Sequence, residues 1–187
     1  KTYQLSSVPR SDKPAAAEHF ASYPLRRLEA EVLIDALNQI TGTTEQYSSI
    51  IPEPYTFMPE EQRAVTLADA SITSPFLEKF GRSSRDSGLE SDRNNRPTAA
   101  QRLHLLNSSH IRRKIETSPK LQPLLQSSDR NKQEETVVEL YLTILSRFPT
   151  AEELTTLETY GQRSGRGTLL RDLAWALVNC PEFSYRH

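Results

Sequence analysis

The 187-residue chain has one cysteine, Cys180, and its 23 Lys and Arg against 24 Asp and Glu leave a net charge of −1. The single thiol excludes an internal disulfide and a thiolate cluster for zinc or iron and sulfur. Beside Pro181, at the end of an apolar helix, Cys180 reads as a small buried residue rather than a nucleophile. The charge balance gives no domain-wide field to draw nucleic acid or an anionic membrane surface, so neither is an expected partner. No apolar run approaches the ~18 residues that membrane insertion requires, and no charged start with an apolar core marks a signal peptide. The chain begins at Lys1, which leaves the sequence upstream open.

Motifs of chemistry are scarce as well. Gly81 to Gly88 lacks the ending of a phosphate loop, and no G-x-S-x-G elbow occurs. Of His19, His104, His110 and His187, none forms the i, i+4 pair with a glutamate that a helical zinc site uses. His104 and His110 are six apart, which on one continuous helix places them on different faces. No metal and no cofactor is expected.

What is present is helical periodicity broken by proline. With 36% hydrophobic residues and 12 prolines, packed helices are expected to alternate with long solvated segments. Residues 1 to 24 carry Pro9, Pro14 and Pro24 and read as an extended lead-in or linker anchored by Phe20 and Tyr23, followed by one helical domain over 25 to 187.

Leu28, Val32, Leu33, Ala36, Leu37 and Ile40 recur at helical spacing, and Gly42 is placed to end that helix in a left-handed conformation. From 43 to 75, Pro52, Pro54, Pro59 and Pro75 forbid a long helix. The apolar residues there predict a segment wrapped over the helices, with Ala64 to Leu67 extended.

Thr98 and Gln101 form a capping box for a helix whose apolar face continues through Leu103, Leu106, Ile111 and Ile115, with Asn107-Ser108-Ser109 as a dividing point. Arg112-Arg113-Lys114 reads as a solvated basic face. Val137 to Leu145 gives a strong stripe, and Thr150 with Glu153 forms a second capping box. The close junction predicts that these two helices pack as an antiparallel pair. Leu169 to Val178 forms a last helix, with Phe183 and Tyr185 folding back as anchors. The expectation is an all-α, irregular multi-helix domain of five or six helices with long Pro-rich connections.

The densest polar stretch runs from Phe76 to Asn107. Its Arg82, Arg85, Arg93 and Arg96 could grip a carboxylate, sulfate or phosphate beside the Thr98 helix start. The bland account is that these arginines pair with acids and hold a long loop in shape. Asp86, Glu90 and Asp92 supply acids in the same stretch and would serve an enzyme only if they faced a cleft. The connector is read first as a structural clamp and second as a binding site.

Several ordered blocks carry a family resemblance: Arg26-Arg27-Leu28 through Thr41-Gly42, Arg63 to Asp69, Phe76 to Arg82, Arg93 to Asn107, Leu145 to Leu154 and Asp172 to Phe183. Together they resemble the C-terminal planctomycete-specific domain, a domain of unknown function, of large bacterial proteins that also carry cytochrome-c-like domains. The resemblance implies export to the periplasm or cell surface and neighbouring upstream domains as partners. It implies no established activity. Many relatives have a C-E-C-E-R run where this chain has Leu89-Glu-Ser-Asp-Arg93, so any role of those cysteines is lost here. No C-x-x-C-H is present, so any haem would belong to an upstream domain. The expected function is a non-catalytic helical module for interdomain or partner contacts. The alternative is a binding module for an acidic or sulfated glycan through the four arginines.

Overall fold

The computed structural model describes residues 6–8, 14–23, 25–49, 51, 58–67, 71–82, 93, 96–126 and 133–186. Six of its helices have eight residues or more: α2 (Ala30–Thr41), α4 (Ala99–Asn107), α5 (Ser109–Glu116), α7 (Gln133–Leu145), α8 (Ala151–Ser164) and α9 (Arg166–Asn179). Four are short: α1 (Pro14–Glu18), α3 (Pro75–Lys79), α6 (Gln122–Leu125) and α10 (Pro181–Ser184). Two antiparallel ladders of two-residue strands join distant parts of the chain. β1 (Arg26–Arg27) pairs with β4 (Tyr185–Arg186), and β2 (Ser48–Ser49) pairs with β3 (Ile72–Thr73). The molecule is therefore mostly helical, as the periodicity predicts.

The lead-in differs from expectation. Proline at the first helical position followed by three alanines closes α1, because proline lacks only an amide that would be unpaired there and alanine is the best helix former. Phe20 is 64% exposed, so it does not anchor the segment.

α2 has two buried faces of opposite character. Leu33, Ile34, Leu37 and Ile40 enter the core, while Val32 is exposed despite its spacing. Glu31, Asp35, Asn38 and Thr41 form a polar stripe at i, i+4, i+7 and i+10, one helix face. Buried polar groups must be satisfied, and the stripe does so by tying down distant chain: Glu31 takes Arg82 and Arg93, Asp35 the Ala64 and Val65 amides, and Asn38 the Lys114 ammonium of α5. Asp35 accepts the amides of Ala64 at 2.7 Å and Val65 at 3.2 Å, which turns Ala64–Thr66 into a 3-10 turn where an extended segment is predicted. Gly42 ends α2 at φ 66°, donating its amide to the Asn38 carbonyl at 2.7 Å, as predicted.

α9 is the central packing element. Leu169, Leu170, Leu173, Ala174, Leu177 and Val178 spread around much of its circumference and are buried. With apolar groups on more than one side, α9 takes α7 on one face and α8 on another. α7 and α8 also touch each other in the expected antiparallel order, with Gln133 beside Gly161 and Tyr141 against Glu153. The turn after α7 is fixed by Arg147, whose guanidinium meets Glu153 at 2.8 Å and Glu182 of α10 at 2.7 Å and lies 5.2 Å from the Tyr141 ring. Phe183 is buried, and Tyr185 pairs with Arg27, so both fold back as expected. Among the described residues, no helix is long and apolar enough to cross a membrane.

Candidate functional site

Two of the four connector arginines converge on one carboxylate. Arg82 Nε lies 3.4 Å from Glu31 Oε1, with the two side chains only 8% and 7% exposed. Arg82 also donates Nη1–H to the Ile72 carbonyl at 2.7 Å. Arg93 Nη1 approaches Glu31 Oε2 at 2.8 Å and Glu29 Oε2 at 3.7 Å. Glu31 thus holds both ends of the connector to α2, and a nearly dry ion pair of this kind loses much when one partner is removed. Arg96 is exposed and engaged within the chain. Arg85 lies outside the described residues, as do Asp86, Glu90 and Asp92.

A second network joins α5 to the segment after α2. Lys114 Nζ donates to Asn38 Oδ1 at 2.7 Å and the Thr44 carbonyl at 2.8 Å, and lies 3.0 Å from Glu45 Oε2. The solvated reading of Arg112-Arg113-Lys114 holds for the two exposed arginines but not for Lys114. Its position between Ile111 and Ile115, both buried, was the available signal. His110 Nε2 is 2.9 Å from the same Glu45 oxygen. Burial would raise the Glu45 carboxyl, but the His110 hydrogen bond and the Lys114 charge outweigh it and hold the pKa below its ordinary value. Tyr47, whose hydroxyl is buried, is pushed up by burial and by the negative charges of Asp35 and Glu45.

The chain breaks at Ser108, which closes α4 and caps α5 through its hydroxyl. The break brings His104 and His110 together, with ring centroids 6.1 Å apart and each 5.9 Å from Phe76. On one continuous helix they would diverge. Burial, with Lys79 and His110 beside it, lowers the His104 pKa, so its ring favours the neutral form.

α4 is inverted relative to its expected packing. Its capping box forms as predicted, yet Gln101 is its buried residue, at 3% exposure, while Leu103 and Leu106 are 57% and 46% exposed. The reason is local: Gln101 closes the cap, accepts from Arg27, and donates Nε2–H to the Lys79 carbonyl at 2.8 Å. Anchoring that residue inward rotates the leucines outward.

A groove lies on each side of α4, and Leu106 lines both. One, of about 750 Å³, runs between α4 and the β1–β4 ladder with Leu25, Arg27, Leu105, Asn179 and Tyr185 on its walls. The other, of about 800 Å³, lies between α4–α5 and α8–α9 and includes Leu157, Tyr160, Leu173 and Trp175. Large apolar concavities with a few polar groups are where binding concentrates.

These features define an all-α module with an ion-paired connector and apolar grooves flanking an inverted helix. The chain belongs to PSD1, the family described as "Protein of unknown function (DUF1553)", whose model matches residues 1–161. No curated protein and no solved structure matches the chain.

Proposed function

We propose that the chain is a non-catalytic helical module of an exported, multidomain planctomycete protein, located in the periplasm or at the cell surface. It makes interdomain or partner contacts through the α4 side of the fold. The observation that carries this reading is the inversion of α4, which leaves Leu103 and Leu106 in water beside two grooves. Leucine in solvent at a helix surface is a common mark of an interaction face when it adjoins further apolar area. The company of cytochrome-c-like upstream domains is inferred from the resemblance of the ordered sequence blocks alone. Binding of an anionic glycan at the arginine connector is disfavoured, because a sulfate or carboxylate would have to displace Glu31 from Arg82 and Arg93.

The test is co-expression of this chain with the remainder of its full-length protein as two pieces. Association that is weakened at least tenfold by Leu106→Asp, with the melting temperature unchanged, supports the reading. Two pieces that show no association at high micromolar concentration, or an open reading frame that encodes nothing further, would contradict it.

A further inference from the structure

The groove between α4 and the β1–β4 ladder carries an unmatched charge. Arg27 is partly buried at its wall, yet no carboxylate among the described residues pairs with it. Its guanidinium donates to the neutral Gln101 side chain and lies 5.0 Å from the Phe80 ring centroid. Every other arginine or lysine described as lying on a closed face of the fold has an acid: Arg82 and Arg93 have Glu31, Lys114 has Glu45, and Arg147 has Glu153 and Glu182. Burial without a counter-charge lowers the Arg27 pKa, a cost that a bound carboxylate would remove. Arg102 lines the same groove and is exposed. The acid that also lines it, Glu182, is held by Arg147, which it shares with Glu153.

Two further features bear on the shape of the ligand. The ladder of Arg26–Arg27 with Tyr185–Arg186 has two strands only, so each strand has an edge without a strand partner among the described residues. Such an edge accepts an extended chain by backbone pairing. Asn179, on the groove wall, donates Nδ2–H to the Trp175 carbonyl at 2.8 Å, and its buried Oδ1 has no partner among the described residues. Apolar wall comes from Leu25, Leu105 and Leu106.

We infer that this groove binds an extended peptide segment of a partner protein in which an aspartate or glutamate adjoins a large apolar residue, the carboxylate meeting Arg27 and Arg102. The inference rests on the interaction reading above and names the chemistry of the partner. A bidentate arginine–carboxylate contact gives the specificity, and the apolar neighbour fills the space beside Leu105 and Leu106.

The test uses the whole chain and a displayed library of random twelve-residue peptides as probe. The expected result is enrichment of peptides with an acid beside Leu, Ile or Phe. A synthetic copy of the leading peptide should shift the Arg27 Nε–H and Asn179 side-chain amide signals in nitrogen-15 correlation spectra. Replacing its acid by the corresponding amide should weaken it at least tenfold, and Arg27→Gln should abolish that preference. Arg102→Glu, at an exposed position, should weaken binding even if Arg27→Gln fails to fold. Selected peptides without an acid, no enrichment at all, equal binding of acid and amide forms, or shifts confined to the groove beside Trp175 would each overturn the inference. The broader reading fails separately: association of the two expressed pieces that survives Arg102→Glu sinks the peptide groove and leaves the interaction module standing.

Discussion

At the scale of single residues, the structure is governed by a few side chains that answer for several neighbours each. Glu31 meets both Arg82 and Arg93 from α2. Removing it leaves two partly dehydrated guanidinium groups without their acid, so Glu31→Ala is expected to cost about 3 kcal/mol in urea unfolding. Glu61→Ala, at an exposed position, should stay within about 0.5 kcal/mol. Equal small effects at both positions would remove Glu31 as the clamp. Gly42 is the second such residue. At φ 66°, an alanine is strained whatever the space, and its Cβ would also approach Lys120 Cγ at 2.9 Å. Gly42→Ala should therefore destabilise by about 1 kcal/mol, read from the same unfolding curves. The left-handed cap was legible from Gly42 alone because local backbone chemistry decides it. The role of Glu31 was not, since an acid on the polar side of a helix looks solvated until its long-range partner is placed. The spacing of Glu31, Asp35, Asn38 and Thr41 was visible, but nothing local distinguishes a buried polar stripe from a wet one.

At the scale of elements, the capping boxes at Thr98 and Thr150 were readable for the same local reason. The packing of α7 and α8 on α9, and the outward turn of α4, were not, because both depend on contacts between residues far apart in sequence. The α7–α8 junction has a pH signature. Hydrogen bonds from Arg147, against opposing desolvation, depress the Glu153 carboxyl from 4.5 to about 2. A depressed carboxylate contributes stability that is present above the unfolded pKa and is lost as pH falls through the folded one. The melting temperature should accordingly drop between about pH 4.5 and pH 2, and Glu153→Gln should flatten that part of the profile. An unchanged acid limb in the variant would show that the clasp is not formed in solution. His104 acts on a different window. Its pKa is lowered below 6.5 chiefly by burial, so the unfolded chain binds more protons just below pH 6.5 and stability rises with pH there. Nitrogen-15 titration of the imidazole should find His104 titrating below 6.5, and a midpoint above 6.5 would contradict the packing of the α4–α5 break.

At the scale of the whole molecule, apolar periodicity framed a helical fold, and the arginine-rich connector drew attention to residues 76–107. The structure divides that stretch in two. Arg82 and Arg93 tie the connector to α2, whereas α4 turns Leu103 and Leu106 outward between two grooves. The apolar period of α4 could not show which way it faces, because the deciding contacts are those of Gln101 with Arg27 and Lys79. In the proposed reading, the connector holds the fold and the α4 surface meets a partner. The measurement that tests it most directly is calorimetric titration of this chain with the upstream domains proposed above, on the wild type, Leu106→Asp and Arg93→Ala. Leu106→Asp is expected to weaken the Kd at least tenfold with an unchanged Tm, while Arg93→Ala lowers the Tm and leaves the Kd within about twofold, under 0.5 kcal/mol. Binding lost in Arg93→Ala at full thermal stability, and retained in Leu106→Asp, would contradict it.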